Sequence, residues 1–224
     1  MPNVTVVVPA YNEQERIADT IRAIQTIPSV NRIIVVNDGS LDNTSAIAKG
    51  EGAEVIDLNP NRGKGGAMNA ALSSVDGDII VFLDADLGSS AAEAGKIIEP
   101  VLAGRCDLSI AAFPPPKKKG GFGLVKGTAA RALRRAGMSD STAPLSGQRA
   151  MTSAALKAVT PFYEAYGVEL GMTIKALQQG LHVLEIPTSM THKETGRDWQ
   201  GFLHRGRQFW NVVQVLRELR RDKR

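Results

Sequence analysis

The chain carries a single cysteine, Cys106, among 224 residues. One thiol excludes an intramolecular disulfide and any zinc site built from several cysteines, and it suits a reducing cytosol. No stretch approaches the roughly 20 apolar residues that a membrane span needs. Residues 1–10 have no basic segment ahead of an apolar run, and Val4–Val8 is too short for a signal peptide. The protein is therefore expected to stay cytoplasmic, on the side of the membrane where it is made. Aromatics amount to only 5% of residues, and neither basic stretch alternates with them as a surface for stacking single strands would. Nucleic acid is not an expected partner. No G-x-G-x-x-G follows the first apolar run, which argues against dinucleotide binding, and no P-loop spacing occurs.

What is present is ordinary enough to fold: 43% apolar and 22% charged residues suit one α/β domain with a real core. The formal charge of +4 is unevenly placed, with a run at Lys117, Lys118 and Lys119 and an arginine-rich end after Arg197. Such runs are either solvated surface or patches that attract phosphate.

Short β-branched runs alternate with helical stretches through the first half. Val4–Val8, Arg32–Val36, Glu54–Ile56, Ile79–Leu83 and Leu108–Ala111 read as strands, as does His182–Ile186 later on. Glu13–Ile27 puts Ile17, Ile21 and Ile24 on one helical face, and Gly66–Leu72 reads as a short helix. Strands of Val and Ile without polar alternation are covered on both faces, which predicts a mostly parallel, Rossmann-like sheet flanked by helices. Ligands of such sheets sit beyond the strands' carboxyl ends. The residues found there are Pro9-Ala10-Tyr11-Asn12-Glu13, Asn37-Asp38-Gly39-Ser40 and Asp84-Ala85-Asp86, and all are expected to face one crevice. Ala112–Gly123 (AFPPPKKKGGFG) reads as a long loop. The end from Asp198 to Arg220 reads as a helix with Phe202, Phe209, Val213 and Leu216 on one stripe.

Asp84 and Asp86 supply two carboxylates at a strand end. Mg²⁺ or Mn²⁺ takes one or two such oxygens plus substrate phosphates, and would neutralise a departing diphosphate. The alternative is a plain turn. Asp38-Gly39 likewise reads either as a turn or as an acceptor for a nucleobase. The Asn61–Gly66 loop offers backbone amides and Lys64 to phosphate or ribose.

Taken together and in order, VVVPAYNE, VVNDGS, NRGKGGAMNAAL and FLDADL resemble family 2-type glycosyltransferases of the GT-A fold, over the stretch Val6–Leu87. The resemblance implies that Pro9, Tyr11, Glu13 and Asp38 line a nucleotide pocket, with Gly63 and Lys64 nearby. It also implies that Asp84, Ala85 and Asp86 flank ribose, diphosphate and metal. Asn37 departs from the second Asp found in many relatives. Further on, Pro144-Leu145-Ser146-Gly147, Tyr166-Gly167-Val168-Glu169 and His192 are similar to the glucosyl-3-phosphoglycerate synthases. That similarity implies donor-sugar and acceptor contacts at Leu145, Ser146 and Gly147. It further implies a Glu169 beside the reacting sugar and a His192 that joins Asp86 on the metal. Gly123-Leu124-Val125-Lys126 lacks the Arg and Thr of their acceptor-gripping segment, which leaves the acceptor open.

The resulting expectation is a single domain over 1–224. Residues 1–111 form the nucleotide-sugar half and 112–197 the acceptor and metal half. A C-terminal amphipathic helix over 198–224 packs on the domain, pairs in a homodimer or lies on an anionic membrane surface. The expected activity is transfer of a sugar, glucose first, from a UDP-sugar to a hydroxyl acceptor with Mg²⁺ or Mn²⁺, Asp86 and Glu169 being the catalytic candidates. Competing readings are a polyprenyl-phosphate glycosyltransferase at the membrane, a nucleotide-sugar-binding protein without turnover, and a nucleotidyltransferase. Asp86→Ala should abolish turnover and leave the circular dichroism spectrum and melting behaviour nearly unchanged; a turnover rate that survives the substitution overturns the metal assignment.

Overall fold

Apolar strands need cover on both faces, and the computed structural model, which describes residues 2–114, 124–138, 141–163 and 167–191, supplies it. Along the chain, β1 (Val4–Ala10) leads to α1 (Ile17–Gln25), β2 (Val30–Asn37), α2 (Thr44–Gly50) and β3 (Glu54–Asp57). Then come α3 (Gly63–Ala71), β4 (Ile79–Phe82), a 3-10 stretch over Gly88–Ala94 that runs into α4 (Gly95–Leu102), and β5 (Leu108–Ala112). The second half adds α5 (Leu124–Arg135), β6 (Arg149–Thr152), α6 (Ser153–Val159), α7 (Val168–Gln178) and β7 (Val183–Pro187).

Among the described residues seven strands join one sheet in the order β3-β2-β1-β4-β6-β5-β7. Only β6 runs against its neighbours β4 and β5; the other pairings are parallel. This is the mostly parallel, doubly covered α/β sheet that the strand pattern predicted. Strands from both expected halves share it. Val4, Val6, Val8, Val35 and Val81 face the layer of Ile17, Ile21, Ile24, Ile97 and Ile98. Val7, Ile34, Val36, Ile80 and Phe82 face Met68 of α3, Leu156 of α6 and Met172 of α7. A small third cluster joins Ala129 and Leu133 of α5 to Leu170 and Ile174 of α7.

The expected strands form within a residue or two of their predicted bounds. The first helix starts at Ile17 and not at Glu13, because Asn12 takes a left-handed backbone (φ 56°) and Glu13 donates its N–H to Thr44 Oγ1 at 2.8 Å. The second starts earlier than expected, at Gly63, whose φ of 74° turns the chain into the helix. Strand β6 was not predicted. It is four residues long and opens on an arginine, so no apolar run announces it. The Lys117–Lys119 run, His192, Arg197 and the 198–224 helix lie outside the described residues.

One sequence departure finds a local reason. Asn37 and Asp57 are register partners at the ends of β2 and β3, and Asn37 Nδ2 donates to Asp57 Oδ1 at 2.8 Å. Lys49, Ser45 and Asn37 together hold the Asp57 carboxyl down to about 2. A depressed carboxylate stabilises the fold fully above its unfolded value of about 3.9. That contribution is lost as pH falls toward about 2. A second Asp at position 37 would face this carboxylate. Asn37→Asp should therefore cost on the order of 1 kcal/mol and lower Tm by about 2–4 °C near neutral pH. The deficit should shrink near pH 4 as the carboxylate pair takes up a proton, which thermal melts at the two pH values will check.

Candidate active site

Because β2, β1 and β4 are parallel neighbours, their carboxyl ends open on the same side. The strand order turns back between β1 and β4, the place where such sheets hold ligands. Each of the three turns is held by its neighbours.

At the first turn Pro9 is half-buried and Tyr11 stands 47% exposed. Residues 12–14 are laced to 40–44. Asn12 donates its N–H to Ser40 Oγ, Leu41 donates to Asn12 Oδ1, and Gln14 donates to Asp42 Oδ2, at 2.9, 2.8 and 3.2 Å. At the second turn Asp38 is buried. Its Oδ1 accepts the Arg62 N–H at 2.7 Å and its carbonyl accepts from Asn61 Nδ2 at 2.8 Å. Asp38 thus ties β2 to the loop that begins α3. Gly39 lies at φ 73°, and a Cβ there would stand 3.0 Å from the Asn61 nitrogen, so only glycine suits the approach.

The third turn holds the charges. Lys64, in the first turn of α3, sends its ammonium to Asp84 Oδ1 at 2.6 Å and to Glu169 Oε1 at 2.8 Å. Burial alone would lower the lysine's pKa. The Asp84 and Glu169 charges and hydrogen bonds outweigh it and leave it above the ordinary value, so Lys64 stays protonated. The other Asp84 oxygen accepts from Gln148 Nε2 at 2.7 Å, while the Asp84 N–H donates to Gln148 Oε1 at 2.9 Å. The two-point amide grip orients the carboxylate. Gly147 closes over the pair: a Cβ there would overlap Lys64 Nζ and lie about 3 Å from both Asp84 oxygens. Asp86, two residues on, is half-buried. Ala85 between them turns inward, only 4% exposed, and its carbonyl accepts from Thr20 Oγ1 at 2.8 Å. The same hydroxyl accepts the Gly88 N–H at 2.8 Å, so α1 pins the turn from beneath.

Glu169 lies in the first turn of α7, entered through Gly167 at φ 109°. A carboxylate there also favours the helix dipole. Glu169 thus serves the helix and reaches Lys64 at once.

The structure thus brings Lys64, Asp84, Gly147 and Glu169 together, with Pro9, Tyr11, Glu13, Asp38 and Gly63 on the adjoining turns. Ser146 is buried one residue from Gly147, whereas Leu145 packs against the α5–α7 cluster. His192 lies outside the described residues. His182 is exposed on the far side of β7's start. Among the described residues no cluster of three His, Cys, Asp or Glu side chains is poised to hold a metal, and no helix is long and apolar enough to cross a membrane. Sequence reasoning missed Gln148, which directly follows the PLSG segment, and Thr20, which sits on the buried face of a helix it had recognised.

Comparison with known proteins agrees with this fold. The family described as "Glycosyl transferase family 2" matches residues 5–140. Glucosyl-3-phosphoglycerate synthase of Mycolicibacterium smegmatis is 30% identical over 206 residues, covering 76% of this chain and 63% of that protein. Glycosyltransferase AglJ of Haloferax volcanii is 28% identical over 200 residues, covering 87% of this chain and 65% of that one. The chain therefore spans less than two thirds of either relative. The crystal structure of glucosyl-3-phosphoglycerate synthase from Mycobacterium tuberculosis with Mn²⁺, UDP-glucose and phosphoglyceric acid superimposes with a TM-score of 0.79 at 26% identity, covering 96% of this chain and 78% of that one.

Gly147→Ala tests the contact at the centre of the site. Lys64 Nζ is the mobile end of a long side chain, so the fold should survive, with Tm within about 4 °C of the parent. The lysine should be pushed off Asp84 and become several-fold more reactive toward an amine acylating reagent, read by peptide mass spectrometry; unchanged Lys64 reactivity would show that the ion pair tolerates the methyl group.

Proposed function

The chain belongs to glycosyl transferase family 2, and on that premise we propose that it moves glucose from UDP-glucose to a hydroxyl acceptor carrying phosphate or carboxylate. The observation that carries the reading is the Lys64 bridge. One ammonium meets Asp84 at 2.6 Å and Glu169 at 2.8 Å, so the donor-side and acceptor-side carboxylates share one point in the crevice. A sugar seated there would be gripped from both sides.

Asp38, Pro9, Tyr11, Glu13, Gly63 and Lys64 bind the nucleotide in this reading. Asp84, oriented by Gln148 and Lys64, takes the sugar hydroxyls, with Ala85, Leu145, Ser146 and Gly147 shaping the walls. Asp86, joined by His192, holds Mg²⁺ or Mn²⁺, which supplies Lewis-acid stabilisation of the diphosphate when bound. The donor set fits that cation: Asp84 has both oxygens engaged by Lys64 and Gln148, and Asp86 on the same turn supplies the hard oxygen ligand that complements phosphate. Lys64 is already shared between two carboxylates, Asp84 and Glu169, so a divalent cation on Asp86 would favour the approach of a diphosphate.

Glu169 meets the acceptor hydroxyl. Where the anomeric centre inverts, Glu169 receives its proton; where it is retained, Glu169 only orients the hydroxyl. Transfer of glucose to a small anionic acceptor is supported by the relatives' names and not by any acceptor-gripping Arg or Thr at residues 123–126.

Titration calorimetry with UDP-glucose, GDP-mannose and UDP-N-acetylglucosamine, each with and without Mn²⁺, tests the donor half. UDP-glucose should bind with Mn²⁺ and weaken at least about tenfold, or 1.4 kcal/mol, on its omission. Tighter binding of another donor replaces glucose, and the absence of binding by all three overturns the reading.

A further inference from the structure

A second set of charges lies beneath the site, and the reaction as described does not use it. Arg149 on β6 is the register partner of Phe82 on β4 and of Ile110 on β5. Ile110 is in turn the partner of Glu185 on β7. Register partners share a face of the sheet, so Arg149 and Glu185 stand in one transverse row, on the side covered by α6 and α7. Segment 141–148, which carries Ser146 and Gly147, is tied at both ends to this row.

Glu185 holds the start. Its carboxylate accepts from Ser141 Oγ at 2.5 Å, from Thr142 N–H at 2.7 Å, from Thr142 Oγ1 at 2.7 Å and from Ala143 N–H at 3.2 Å. Burial alone would raise this carboxyl, yet the hydrogen bonds from Ser141 and Thr142 leave it below the ordinary range. Arg149 holds the end. It is fully buried, its Nε donates to the Ser146 carbonyl at 2.9 Å, and its Nη1 donates to Thr173 Oγ1 at 2.8 Å. The Thr173 hydroxyl in turn donates to the Glu169 carbonyl at 2.9 Å. Burial pushes the guanidinium down to about 10, opposed by the charges of Glu169 and Glu185.

Two details speak for an imposed conformation. Ser146 Oγ and Arg149 Nη2 are buried without a hydrogen-bond partner among the described residues. An unmet buried polar group is costly, so a loop that keeps one in place is held by something stronger than its own packing. Gly147 then arrives against Lys64 and Asp84 with no room for a methyl group. A small shift of the loop would change that contact directly.

We propose that Glu185 is a positioning residue: its carboxylate fixes the 141–143 turn and, with Arg149 at the other end, sets where Ser146 and Gly147 meet the donor sugar beside Lys64 and Asp84. This rests on the sugar-nucleotide reading of the site. Glu185 touches neither donor nor acceptor. It acts only on the sugar end of the donor, because Asp38, at the nucleotide end, is held by the 61–62 loop.

The test uses Glu185→Gln, which keeps the side chain's size but meets the Thr142 and Ala143 N–H groups with one oxygen in place of two. Thr142→Val is the second variant, since it removes a donor on an exposed loop residue and leaves the sheet untouched. Amide hydrogen exchange and calorimetry with UDP and with UDP-glucose, both with Mn²⁺, are measured on each. Exchange across 142–147 should rise about tenfold in Glu185→Gln and less in Thr142→Val, with β5 and β7 still protected. UDP affinity should stay within about twofold, while the advantage of UDP-glucose over UDP falls about tenfold. Unaltered loop exchange, or equal weakening of both ligands, overturns the role. A wild-type chain that binds neither ligand overturns the donor reading and the role together, and the exchange data then report separately whether the anchor exists.

Discussion

An ammonium placed between two carboxylates governs the site. Lys64 comes from α3, Asp84 from the end of β4 and Glu169 from the first turn of α7, so three elements distant in sequence converge on one nitrogen. Without that charge Asp84 and Glu169 would repel each other across a partly buried gap, where the effective dielectric is well below that of water. With it they sit within hydrogen-bond reach of the same atom. The close approach of Gly147 and the amide grip of Gln148 on Asp84 both presuppose this arrangement. The ion pair also binds the early part of the sheet to the late helix, which makes one crevice of residues from both halves of the chain.

The groups around the pair are held mostly by hydrogen bonds that involve backbone. Thr20 grips the Ala85 carbonyl and the Gly88 N–H, Asp38 grips the Arg62 N–H, and Gln148 grips the Asp84 N–H. Such contacts fix a turn's position in a way that apolar packing alone does not, because they are directional. In the proposed reaction such fixity favours the developing charge, since dipoles already oriented need no reorganisation when it arrives. The lacing between residues 12–14 and 40–44 extends the same principle to the proposed nucleotide end.

Much of this was legible in the residues. Unbroken Val and Ile runs announced a sheet covered on both faces, and the polar turns after β1, β2 and β4 were expected on one side, where the parallel strands place them. The Asp38-Gly39 turn carried its meaning locally, through backbone freedom and short-range hydrogen bonding. The antiparallel β6 was hidden because its few residues begin with Arg149, a charge that reads as surface until the sheet is seen to bury it. Gln148 and Thr20 were hidden for a related reason. A glutamine after a glycine and a threonine inside an apolar helix face become meaningful only once a partner many residues away is known.

By itself the sequence determined the class of fold, every strand but β6, the order of the motifs and the family to which they belong, because each depends on periodicity and on residues close together in the chain. The tertiary structure alone decided that Glu169 reaches Lys64, that Gly147 has no space for a side chain, and that Glu185 and Arg149 pin opposite ends of one loop. Those facts depend on where β6, β7 and α7 dock, and docking is set by packing and charge among residues far apart in sequence, to which no local pattern gives access.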